Sequence, residues 1–99
     1  MKIFSGSINT DFAKRVCKHL NTNLGNLKHE TFKDGEVRII IDESIRQEDC
    51  FVIQPTGPSE NNSPNDNYME LFIMIDALKR GSANSVTVVM PYYGYERQD

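Results

Sequence analysis

The sequence contains no tryptophan and only two cysteines among 99 residues. It has no apolar run near the roughly 18 residues that a membrane helix needs. The opening Met1-Lys2-Ile3-Phe4-Ser5-Gly6 turns polar after two apolar residues, so no secretory leader is expected. Cys17 and Cys50 show neither CxxC nor zinc-type spacing. Reduced thiols and a cytoplasmic location follow as expectations. Basic residues are not in surplus: 11 Lys and Arg stand against 14 Asp and Glu, a net charge of −3. That argues against a nucleic-acid footprint. Walker A, GxGxxG, HExxH and GxSxG patterns are all missing.

What is present suits one small soluble domain. The apolar fraction is 38% and the charged fraction 25%, enough for a core but with little reserve. Lys2–Ser5 reads as a short strand. A helix capped by Asn9 or Thr10 follows, with Phe12, Ala13, Val16, Cys17 and Leu20 on one stripe. Gly25 is positioned to close it in the left-handed region. Leu27–Phe32 and Val37–Ile41 flank Asp34-Gly35, a hairpin signal of the type I′ kind, with positive φ at both turn residues. Asp42–Asp49 is a charged connector. Cys50–Ile53 and Ser85–Met90 read as strands buried on both faces. Gln54–Asn65, with three prolines, is a loop. Asn67 and Glu70 form a capping-box-like start to a helix over Tyr68–Arg80, with Gly81 its cap.

The expected order is β-α-β-β-β-α-β, an α/β fold with a mostly parallel sheet and a β-hairpin insertion. The second helix has almost no polar face between Tyr68 and Leu78. One side can lie on the sheet. An oligomer contact or a further part of the chain is expected on the other; the alternative is a wide core-facing stripe with a few exposed apolar residues.

Ligands of open α/β sheets bind beyond the strands' C-terminal ends. Ser5-Gly6-Ser7, Gln54-Pro55-Thr56-Gly57 and Tyr92–Asp99 lie there. Arg97, Gln98 and Asp99 can grip phosphate and hydrogen-bond a base or ribose, although a loop ending in Arg-Gln-Asp is more often simply solvated. At the hairpin, Phe32, Asp34 and Glu36 alternate and lean to one side if extended. An aromatic face with two acceptors can stack on a purine; a turn kept for its geometry is the other reading. Ser44 and Arg46 can hold an anion or be solvated. His19 and His29 lack Cys or carboxylate partners at metal spacing and read as structural.

Three segments, Lys2-Ile3-Phe4-Ser5-Gly6-Ser7, Phe32-Lys33-Asp34-Gly35-Glu36-Val37 and Asp66-Asn67-Tyr68-Met69-Glu70-Leu71, stand in order before Met90-Pro91-Tyr92-Tyr93-Gly94-Tyr95-Glu96-Arg97-Gln98-Asp99. This ordered set resembles the N-terminal part of ribose-phosphate pyrophosphokinases from Met1 to Asp99. The resemblance implies a phosphoribosyltransferase-like fold, with residues 1–99 as most of the N-terminal domain, and the remainder of that domain and a second domain outside it. It implies diphosphate transfer from ATP to ribose 5-phosphate with Mg²⁺. Phe32, Asp34, Gly35 and Glu36 would then hold adenine, Arg97 and Gln98 would hold ATP, and Ser44 and Arg46 would lie at a regulatory phosphate site. The catalytic residues and Mg²⁺ ligands would lie outside this stretch, leaving it inactive alone. Partners would be further copies, as dimers forming a hexamer, or full-length synthetase subunits. A non-catalytic regulatory or assembly subunit is the alternative.

Overall fold

Five segments form strands, most of them rich in β-branched or aromatic residues, which pack well on a pleated surface. The computed structural model describes residues 1–7, 10–54 and 64–90. Its elements are β1 (Lys2–Ser5), α1 (Thr10–His19), β2 (Leu27–Thr31), β3 (Val37–Ile41), β4 (Asp49–Ile53), α2 (Pro64–Arg80) and β5 (Ser85–Val89). This is the expected order. β1, β4 and β5 form a parallel sheet with β4 in the centre. β2 and β3 form a separate antiparallel pair.

Side chains alternate across a strand, so each face of the parallel sheet receives its own core. Ile3 and Ile53 pack with Ala13 and Cys17 of α1. Phe4, Cys50 and Val52 point the other way and pack with Leu71, Met74 and Leu78 of α2. Ile39 of β3 belongs to this second cluster, with Val37 and Ile41 packed against it. The hairpin therefore lies on α2, and α2 lies between two layers of strand.

That placement corrects the expectation that nothing within the chain could cover the second side of α2. The hairpin does so in part. Asn67, Glu70, Leu71, Met74 and Leu78 form the buried stripe, while Met69 and Phe72 stay 58% and 57% exposed. The helix also begins at Pro64, not at a cap on Asn67. Proline suits a first turn, where its missing N–H costs nothing. Asp66 in that turn and Lys79 and Arg80 in the last complement the helix dipole.

β5 differs from a strand buried on both faces. Val86 and Val88 turn inward, but Thr87 and Val89 are exposed. α1 packs on β1, and among the described residues nothing covers that face of β5. The positive φ values after the two helices fall on Asn21 and Ser82, not on Gly25 and Gly81. A Cβ at Gly25 would stand 2.4 Å from the Phe4 ring, so close approach explains this glycine. Asn9, expected as a cap, lies outside the described residues.

Candidate functional site

The strands' C-terminal ends converge on one carboxylate. Glu70 is 6% exposed. Its Oε1 accepts from the Ser7 N–H at 3.0 Å and from Gln54 Nε2. Its Oε2 accepts from the Ser7 hydroxyl at 2.7 Å and lies 2.6 Å from His29 Nε2. Ser7 follows β1, Gln54 follows β4, and His29 stands in β2. Burying a carboxylate is costly unless donors surround it, and here they come from three separate segments. Gly6 makes room: a Cβ there would be 2.1 Å from Gln54 Oε1 and 2.7 Å from Glu70 Oε1. The sequence reading of His29, made from partners at metal spacing, does not reveal this distant carboxylate. In the sequence Glu70 stands where the acid of a helix cap would. The available signal was a carboxylate in register with Leu71, Met74 and Leu78.

The hairpin tip is the second component. Phe32 N–H donates to Glu36 C=O at 2.8 Å, and Gly35 N–H to Phe32 C=O at 2.9 Å. Positive φ occurs at Gly35 (88°) but not at Asp34. The loop thus has three residues, Lys33-Asp34-Gly35, in place of the expected two-residue type I′ turn. A turn followed by a left-handed glycine is the usual three-residue solution. Asp34 Oδ1 accepts from the Glu36 N–H at 3.1 Å and helps to shape it. Phe32, Asp34 and Glu36 do not alternate along extended chain, because the turn intervenes. All three are exposed, Phe32 by 44%.

Two hollows adjoin this tip. A groove of about 610 Å³ runs between the hairpin and α2, lined by Phe32, Gly35, Glu36, Arg38, Met69 and Arg80 among others. A smaller cavity of about 280 Å³ is lined by Ser7, His29, Thr31, Gly35, Met69 and Glu70 among others. It joins the tip to the strand ends.

Ser44 lies apart, in a hollow of about 440 Å³ shared with Arg38, Glu43, Ile45 and Arg80. Arg46 is exposed and does not line it. Glu43 accepts from the Asn26 N–H at 2.9 Å and pairs with Lys2 Nζ at 3.0 Å. The Asn26 amide first, and Lys2 next, hold its carboxyl below the ordinary value of 4.5. Burial pushes the thiols of Cys17 and Cys50 up, as expected of small core residues without nucleophilic character. Arg97 and Gln98 lie outside the described residues. No group of three or more His, Cys, Asp and Glu among the described residues could hold a metal ion. No described helix is long and apolar enough to cross a membrane.

Comparison with known proteins bears on what such an arrangement serves. The family model described as the N-terminal domain of ribose phosphate pyrophosphokinase matches residues 1–99. A ribose-phosphate pyrophosphokinase of Thermotoga maritima is 50% identical over 99 residues, covering 100% of this chain and 30% of that protein. One of Helicobacter pylori is 53% identical over 98 residues, covering 99% of this chain and 30% of that protein. The crystal structure of phosphoribosylpyrophosphate synthetase from Mycobacterium smegmatis superposes with a TM-score of 0.86 at 38% identity, covering 99% of this chain and 32% of that one. The chain thus spans about 30% of the length of the curated relatives it matches.

Proposed function

The chain belongs to the family of the N-terminal domain of ribose-phosphate pyrophosphokinase, and from that membership we propose that it handles the nucleotide in the transfer of diphosphate from ATP to ribose 5-phosphate. In this reaction the C1 hydroxyl oxygen of the sugar bonds to the β-phosphorus of ATP. The bond from that phosphorus to the oxygen bridging the α- and β-phosphates breaks, AMP leaves, and the hydroxyl proton is released. The observation that carries the proposal is the hairpin tip, where Phe32 is exposed beside Glu36 above the groove on α2. A flat ring with adjacent acceptors binds a purine by stacking and by hydrogen bonds from its exocyclic amine.

In this reading Phe32 stacks on adenine, Asp34 and Glu36 accept from it, and Gly35 keeps the turn open. Arg97 and Gln98 hold the remainder of ATP. Ser44 and Arg46 serve a regulatory phosphate, with Arg38 and Arg80 nearby to supply charge. Phosphoryl transfer also needs a divalent cation to neutralise the phosphates. The described residues do not form a cage for Mg²⁺, so no step is assigned through it. The protein works in the cytoplasm as a homo-oligomer, with the Met69 and Phe72 side of α2 as an assembly surface.

The test is formation of AMP and phosphoribosyl diphosphate by the protein carrying this chain. Phe32→Ala should raise KM for ATP by roughly tenfold or more, since a base stack contributes about 1–3 kcal/mol. Absence of both products from the wild-type protein, in the presence of Mg²⁺, would overturn the catalytic reading. Capture of a full-length synthetase without turnover would replace it with the assembly-subunit reading.

A further inference from the structure

The tip residues can act on a nucleotide only if the hairpin is held at a defined place over α2. Apolar contact through Val37, Ile39 and Ile41 keeps the two together, but such contact is non-directional and tolerates sliding. A close approach of a ring nitrogen to a buried carboxylate oxygen is, by contrast, electrostatic and tied to one place. His29 makes such a contact. Its Nε2 lies 2.6 Å from Glu70 Oε2, with the His29 side chain 29% exposed and that of Glu70 only 7%.

Glu70 cannot follow the hairpin if the hairpin moves. Ser7 holds it through two hydrogen bonds and Gln54 through a third. It is a fixed post on the core, and His29 is the hairpin's side of the contact. Phe32 stands three residues further along the same strand and turn. Between His29 and the tip lies the cavity that Ser7, Gly35 and Glu70 also line. A shift at His29 therefore changes both the cavity's shape and the position of Phe32 over the groove.

We propose that His29 is a positioning residue: its contact with Glu70 sets the hairpin on α2 and so aligns Phe32, Asp34 and Glu36 with the strand ends at Ser7. This rests on the proposed nucleotide role of the tip, and the test separates the two. The protein carrying this chain is compared in its full-length form with His29→Leu and His29→Gln. Leucine removes the polar contact; the glutamine amide can restore one.

His29→Leu should raise KM for ATP about fivefold while kcat stays within about twofold, and His29→Gln should recover most of the loss. Amide hydrogen exchange supplies a readout independent of activity. Amides of residues 32–37 should exchange several-fold faster in the leucine variant, with those of β1 and β4 unchanged. Unchanged exchange at the tip overturns the proposal. So does an equal effect of leucine and glutamine, or a fall in kcat with KM unaltered, which marks a structural role. If the wild-type protein makes no phosphoribosyl diphosphate, the function fails, and the exchange experiment still decides the positioning.

Discussion

At residue 6 the backbone has room for a hydrogen and nothing larger, because the side chains of Gln54 and Glu70 close over it. That constraint arises from a carboxylate 63 residues away from Ser7 and 16 from Gln54. No local pattern expresses such a distance, and Glu70 in sequence imitates a helix cap. The hairpin tip was legible for the opposite reason: Phe32 to Glu36 are contiguous, and Asp-Gly declares its turn. Glu43 shows a second long-range effect. Its folded pKa is depressed by Asn26 and Lys2. A depressed carboxylate contributes stability that is complete above its unfolded pKa and is lost as pH falls through the folded value. Asp49, lowered by hydrogen bonds from Asn84 and Ser85, acts in the same direction. The denaturant midpoint should therefore fall as pH drops from about 5 toward 3, and Glu43→Gln should make that fall shallower. Equal slopes for the two proteins would show that the Glu43 cluster contributes nothing on the acid side.

The sequence identifies strands and helices as kinds of element, but not what covers them. Alternation and periodicity report which residues are apolar but not which neighbour meets them. β5 has four apolar or β-branched residues in succession from Val86, yet only Val86 and Val88 turn toward the core. β4, by contrast, is central and has Cys50, Val52 and Ile53 fully buried, the last 3% exposed. Ile53→Ala should accordingly cost about 2–4 kcal/mol, and Val88→Ala about half that or less. Urea titration of the two variants checks the order; equal losses would place β5 in a fully enclosed environment. The turn type was missed for a similar reason. Asp34-Gly35 is compatible with either a two- or a three-residue loop, and the choice lies in the pairing of Phe32 with Glu36 across it.

The whole molecule is layered, with α1, the parallel sheet, α2 and the hairpin stacked in that order. Among the described residues, the parallel sheet and α2 each have parts of the same chain on both sides, with two gaps. One is the Thr87 and Val89 face of β5. The other is the outward side of α2 near its beginning, where Met69 and Phe72 stand open beside Tyr68, whose ring lies 6.1 Å from that of Phe72. Under the proposed assembly, Phe72→Glu should lower the mass measured by light scattering to that of a smaller species, with the circular dichroism unchanged. An unaltered mass would move the assembly surface elsewhere. The ordered motifs made the family legible from end to end, while the layering itself could only be seen once the hairpin was found on α2 and not beside the sheet.

The position of α2 between two strand layers also has a temporal side. The hairpin's two strands are neighbours in sequence and can pair as soon as they leave the ribosome. Their apolar face, with Ile39 at its centre, has no cover until Pro64–Arg80 has been synthesised. During that interval Arg38-Ile39-Ile40-Ile41 is a newly made, β-prone segment open to other nascent chains. The helix that completes the fold is thus also the element that ends its period of greatest risk of misassembly.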